Sequence, residues 1–239
     1  MQNFSQNRSS FVGSISRVSY DTGLRAYMLK IYNFMSIALA ISGFIALLAS
    51  QSASFMHLLF GTPLSWVVML APLGFVMFFG YKLNSISAAQ AKTYLWIYSA
   101  LMGLSLSFIF IAYTQASIAR VFFITASVFG AMSFYGYTTK KDLTGLGSFL
   151  MMGLIGIIIA SLVNIFLKSS ALDFVVSIIG VLIFVGMTAY DTQRLKQSYY
   201  AAADEETATK IAVMGALSLY MDFINLFMQL LRFFGDRRN

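Results

Sequence analysis

The sequence has no cysteine, a single histidine (His57), two prolines (Pro63 and Pro72) and little charge. Without cysteine there is no disulfide framework, no thiolate nucleophile and no Cys/His zinc site. With so little proline there is no Pro-rich linker, and neither a low-complexity tract nor an internal repeat of fixed period divides the chain, so one domain accounts for it. Only 10% of the 239 residues are charged, against roughly 25% in a soluble domain. That is too few ionised groups to cover a surface facing water. What is present instead is 59% hydrophobic residues and a mean hydropathy of +0.76, the composition of a chain whose main solvent is lipid. The net charge of +7 does not point to nucleic acid. The sixteen Lys and Arg are spread thinly and fall where apolar stretches end, as the positive-inside rule expects, rather than clustering as a phosphate-binding patch would.

Charge is costly in hydrocarbon, so intervals free of Asp, Glu, Lys and Arg mark candidate spans, each needing about 20 residues. Residues 31–81 carry no such charge for 51 positions, enough for two spans at 28–50 and 64–82 with a turn at Gly61, Thr62 and Pro63. Residues 93–119, 121–139, 143–167 and 174–190 supply four more. The last apolar stretch, Ile211 to Leu231, is long enough to cross but holds Asp222 at its middle. The expected fold is therefore an all-α membrane protein with seven transmembrane helices, the seventh crossing fully in preference to re-entering. The expected organisation is a polar cytoplasmic tail over 1–27, a membrane domain over 28–234 and a short basic tail over 235–239.

With the N-terminus cytoplasmic, eleven basic residues lie inside (Arg8, Arg17, Arg25, Lys30, Lys82, Lys92, Lys140, Lys141, Arg194, Lys196 and Lys210) and five outside (Arg120, Lys168, Arg232, Arg237 and Arg238). N-inside is preferred. The Ser- and Arg-rich first 27 residues share composition with mitochondrial transit peptides but suit a disordered tail better, and no apolar run before a cleavage site marks a secretory signal. Small residues recur at helical spacing: Ser36, Ala40 and Gly43; Ser99, Gly103 and Ser107; Gly153, Gly156 and Ala160. Such stripes let helix backbones approach. Trp66, Tyr81, Tyr94, Trp96, Tyr199 and Tyr200 fall near helix ends, where an interfacial aromatic belt is expected.

An ionisable residue inside a span costs roughly 2.5 to 3.5 kcal/mol at the helix centre and marks a functional site by default. Asp222 shares a narrow polar stripe with Ser218, Asn225 and Gln229, at i−4, i+3 and i+7, on an otherwise apolar helix. The stripe must face protein or a wet cavity. Asp191, in Tyr190-Asp191-Thr192-Gln193-Arg194, by itself reads as well as an interfacial ion pair with Arg194. Its distance from the acidic run Asp204, Glu205 and Glu206 changes that reading. In a symmetric hairpin both aspartates stand about eleven or twelve helical positions, on the order of 17 Å, from the turn, which brings them together inside the bilayer. Two such carboxyls cannot both ionise cheaply, so one proton is shared and a pH switch follows. Protonated, the pair clasps two helices; ionised, it repels and attracts a cation. Calcium, a hard ion taking oxygen ligands, suits a transient site at Asp191 and Asp222, helped by Thr192, Asn225, carbonyls and water.

Residues 189–196 (AYDTQRLK), 138–143 (TTKKDL) and above all 216–235 (ALSLYMDFINLFMQLLRFFG) resemble the signatures of the transmembrane Bax inhibitor motif family. The resemblance covers the chain from about residue 25 onward. It implies a seven-helix bundle around a central last helix, and a pH-sensitive calcium leak governed by a di-aspartyl sensor whose matching positions are Asp191 and Asp222. In the bacterial pattern an arginine of the second helix latches the pair. The second helix here has none, so Lys82 is the nearest substitute and Arg194 the local one. The family also implies suppression of cell death in animals and, among some bacterial members, association with a membrane-bound protease.

Other classes fit less well. An intramembrane aspartyl protease would need Gly-x-Gly-Asp at the second aspartate and a Pro-Ala-Leu loop, whereas Leu219-Tyr220-Met221-Asp222 has no glycine and no proline follows Pro72. A carrier would show inverted repeats or paired broken helices. A non-conducting adaptor acting on a membrane protease or another membrane protein is the main alternative. The expected partners are thus the bilayer, protons and calcium as the permeant ion, with no tightly bound cofactor and no catalytic residue. The expected location is a bacterial inner membrane, with a mitochondrial or endomembrane placement as the alternative.

Overall fold

The computed structural model describes the backbone of residues 3–199 and 204–238, and the side chains of those residues other than 3–21 and Asn84. Arg8 and Arg17 of the N-terminal tail and Tyr200 of the expected aromatic belt lie outside the described side chains. The helices are α1 (Asn3–Ser50), α2 (Ala53–Phe60), α3 (Leu64–Lys82), α4 (Ala88–Leu106), α5 (Ile109–Ala112), α6 (Gln115–Thr138), α7 (Thr144–Leu167), α8 (Ser170–Ser198) and α9 (Glu205–Phe234). Among the described residues seven stretches are long and apolar enough to cross a membrane: Thr22–Ser50, Leu64–Lys82, Ala88–Ala112, Gln115–Thr138, Thr144–Leu167, Ser170–Ser198 and Glu205–Phe234.

Local chemistry sets most helix starts. Ser52, Thr114, Ser169 and Asp204 each accept a hydrogen bond from the backbone N–H three residues on, and Ser87 with Gln90 forms a reciprocal capping box. The α7 helix closes at Lys168, the one described non-glycine residue with positive φ, at φ 50°. The turn expected at residues 61–63 is present, but a short extra helix, α2, precedes it.

Several boundaries differ from the charge-interval expectation, because a helix does not stop at its first charged residue. The first candidate span begins at Thr22 rather than 28, with Leu24 and Tyr27 buried in the core. Arg120 lies inside α6, and α8 continues two turns beyond Asp191 to Ser198.

The α9 helix is the axis of the bundle. In its most apolar window 67% of residues are buried, against 11–39% in the other six spans. Small residues on it admit neighbours: a Cβ on Gly215 would come within 2.6 Å of Leu195. At mid-height Ser42 of α1 bonds the Tyr220 hydroxyl at 2.7 Å and donates to the Ser99 carbonyl of α4 at 2.7 Å. A Cβ on Gly103 would stand 2.7 Å from the Ser42 carbonyl, so the Ser99–Gly103 stripe does serve close approach. The Ser36–Ala40–Gly43 stripe does not. It lines a cavity of about 540 Å³ facing α6, and nothing lies within 4 Å of a Cβ built on Gly43 or on Gly156. Tyr94 and Trp96 likewise turn inward, onto Phe75, Phe78 and Phe79 and onto Phe34, while Trp66 and Tyr81 remain exposed.

Candidate functional site

Between α8 and α9 the chain buries two carboxyl groups against each other. Asp191 is 2% and Asp222 6% exposed, and their side chains stand within hydrogen-bonding reach. Asp191 Oδ2 accepts a 2.5 Å hydrogen bond from Ser218 Oγ. The Oδ2 of Asp222 is buried with no hydrogen-bond partner, and Asp191 Oδ1 has only an ion pair, 3.3 Å from the Arg194 guanidinium. An unsatisfied buried polar atom costs about 1–3 kcal/mol, so the fold tolerates a standing deficit at this spot, as sites kept for function do.

The pair meets by a different register from the symmetric hairpin. Asp191 lies seven residues before the end of α8 and Asp222 seventeen after the start of α9, ~10 Å and ~25 Å along their helices, where equal distances were expected. The α9 helix overshoots the end of α8. Its first turns reach α1 and the α3–α4 connection, Lys30 donating to Thr209 at 2.7 Å and Lys210 to the Ile86 carbonyl at 3.3 Å.

The surroundings hold Asp191 firmly. Gln193 donates to the Lys141 carbonyl and accepts from the Leu143 N–H, both at 2.8 Å, tying α8 to the 139–143 loop. Thr192 approaches Ser133 of α6 and Tyr32 of α1, each at 3.5 Å. A Cβ on Gly136 would lie 2.2 Å from the Ala189 carbonyl, so α6 and α8 touch backbone to backbone one turn away.

Arg194 is the cation at the pair. Its guanidinium lies 3.3 Å from Asp191 Oδ1 and 3.3 Å from Ser218 Oγ, over the Tyr190 ring, with half its side chain exposed. Half-exposed, such an ion pair contributes no more than about 1 kcal/mol, which leaves it easy to open. It borders a cavity of about 370 Å³ lined also by Val76, Ser218 and Met221. Lys82 is exposed at the end of α3, and among the described residues its ammonium makes no ion pair or hydrogen bond. Of the polar stripe, Ser218 and Asp222 reach Asp191, Asn225 is half-buried, and Gln229 packs on Gly180 with its Oε1 unpartnered.

Among the described residues no three His, Cys, Asp or Glu side chains converge as a metal site. A cation held here would have two carboxylates, the Ser218 hydroxyl and water, short of the six to eight oxygens of a tight calcium site, while the expected helper Thr192 turns its hydroxyl to Ser133 and Tyr32 instead. The partners that spacing left unseen are Tyr32, Ser133 and Lys141, since long-range contacts leave no periodic signal; Gln193 stood in the quoted motif without a role.

A family model described as inhibitor of apoptosis-promoting Bax1 matches residues 24–239. The chain is 48% identical over 231 residues to the inner membrane protein YbhL of Escherichia coli (strain K12), covering 95% of this chain and 99% of that one. It is 49% identical over 221 residues to the protein RP147 of Rickettsia prowazekii, covering 92% and 94%. A membrane protein of Streptococcus pyogenes is 37% identical over 217 residues, covering 90% and 94%.

Proposed function

The chain belongs to the Bax inhibitor-1-like family and is an integral multi-pass membrane protein, and from that premise we propose that it is a pH-sensitive calcium leak gated by Asp191 and Asp222. The observation that carries the reading is two buried carboxyls face to face on the two helices that form the core seam, one bonded by Ser218 and edged by Arg194. Two negative charges in so dry a place repel strongly, so the closed state keeps one proton between them. In that state α8 and α9 are clasped. As pH rises the proton leaves, the carboxylates push apart, and the pair becomes an attractive stop for a divalent cation.

Arg194 is the movable counter-charge, able to swing into the adjoining 370 Å³ cavity when a cation takes its place. The pair works as a switch rather than as general acid and base. We place the protein in a bacterial inner membrane with its N-terminus cytoplasmic, which puts the 139–143 loop and Arg194 on the cytoplasmic side.

Calcium flux into liposomes holding the purified protein, from about pH 6 to about pH 8, tests the reading. Wild type passes calcium with a pH dependence that Asp191→Asn and Asp222→Asn each flatten or shift. Silence from folded wild type at every pH makes the protein a non-conducting adaptor for a membrane protease or another membrane protein, with the aspartates a structural clasp.

A further inference from the structure

The carboxyl pair is one end of a longer polar line. Asp173, Gly180 and Asp191 of α8 meet Arg232, Gln229, Ser218 and Asp222 of α9, and by helical spacing Ser177 and Asn225 fall on the same two stripes. Two contacts fix one antiparallel register, Ser218 on Asp191 and Gln229 on Gly180, and the long Arg232 side chain reaches about a turn along from it to stand 3.7 Å from Asp173. Among the described residues the buried side-chain oxygens with no hydrogen bond all lie on these two helices: Asp222 Oδ2, Gln229 Oε1 and Ser177 Oγ, with Asp191 Oδ1 held only by its ion pair to Arg194. Ser177 is only 2% exposed. Buried orphan oxygens in a row are the mark of ordered water or ions between the helices.

The line also has the length of a crossing. Eighteen residues separate Asp173 from Asp191, ~27 Å of helix against a hydrocarbon core of about 30 Å. At its far end the half-exposed Asp173–Arg232 pair borders a cavity of about 300 Å³ lined by Ser161 and Asn164. Midway the line narrows, because Phe184, 5% exposed, stands level with Asn225 in this register.

We propose that the α8–α9 seam is the hydrated cation path, entered on its outer side at Asp173 with Arg232 as the gate that a cation displaces, and interrupted at mid-height by Phe184. This rests on the leak reading of the carboxyl pair and adds a second, outer gate to it. Arg232 holds a positive charge over the one carboxylate of the mouth. A divalent cation must replace it there before meeting the apolar constriction, where such gates work by dewetting.

The absence of native cysteine makes the path directly testable. Single variants Ser177→Cys and Gln229→Cys are reconstituted and exposed to a small membrane-impermeant thiosulfonate, with lipid-facing Ile179→Cys and tightly packed Leu226→Cys as controls. Labelling of the two seam cysteines and of neither control is expected. In the same liposomes Arg232→Gln raises calcium flux severalfold, and Gln229→Leu lowers it about tenfold or more at every pH while leaving the pH profile in place. Unlabelled seam cysteines in folded protein, or fluxes that ignore both substitutions while still answering to Asp222→Asn, overturn the seam and leave the leak reading standing. Labelled cysteines with wild type silent at every pH overturn the leak reading and leave a hydrated seam.

Discussion

At the scale of single residues, two carboxylates outside the spans can be set aside as sources of a pH response. Both are held below the usual carboxylate range: Asp142 by the hydroxyl and backbone N–H of Thr144, Asp204 by the backbone N–H and hydroxyl of Thr207. A carboxyl lowered in the folded state adds stability above its unfolded value and loses it only as pH falls through the folded one. Both are therefore ionised throughout the neutral window and contribute nothing to a response there. His57 is the only histidine of the sequence, exposed on α2 in the connection between the first two spans. His57→Gln is expected to leave the flux profile unchanged, whereas Asp191→Asn alters it; a profile flattened by His57→Gln would move the sensor out of the seam. Ser218→Ala removes the 2.5 Å donor to Asp191 and is expected to lower stability by about 1–3 kcal/mol, read as a lowered midpoint of thermal unfolding in detergent.

At the scale of helices, close approach between α6 and α8 is what holds Asp191 in place. Gly136→Ala would drive a methyl into the Ala189 carbonyl, which lies 2.2 Å from the Cβ position and is backbone that cannot step aside. Overpacking of this kind costs about 1–3 kcal/mol, whereas Gly130→Ala, with nothing within 4 Å, is expected to be tolerated; thermal unfolding of the two variants separates them. The same helices show what the sequence discloses. Span number and the two aspartates were legible, because charge in hydrocarbon is costly wherever it falls and a polar stripe at helical spacing can face only protein. The register was not. A connection's length in residues does not say how far one helix overshoots the other, so Asp191 and Asp222 were expected at equal distances from the turn and lie seven and seventeen residues from their helix ends. Small-residue stripes were ambiguous for a related reason: Gly103 meets Ser42, but Gly43 looks onto a cavity, and composition does not say which face of a helix has a neighbour.

For the whole molecule, the C-terminal end bears on a discordance in the charge count. The basic residues around it are held in place by contacts the sequence did not announce. Arg120 lies 3.1 Å from Asp236 and donates to the Phe234 carbonyl, Arg232 pairs with Asp173, and Arg237 bridges to Tyr113 while the Arg238 N–H donates to Ala112. The chain end is thereby stitched onto the α5–α6 connection. A re-entrant last segment would have returned those charges to the other face, but α9 is one unbroken helix of 30 residues, ~45 Å long and more than the hydrocarbon core requires. Seven crossings are odd in number, so the two termini should lie on opposite sides of the membrane. Alkaline phosphatase, active only outside the cytoplasm, reports this when joined after Lys141 in one fusion and after the C-terminus in another. Activity at the C-terminal fusion alone is the expected outcome. Activity at neither would mean that α9 does not cross, and with it the path from Asp191 to Asp173 would have no far side to open onto.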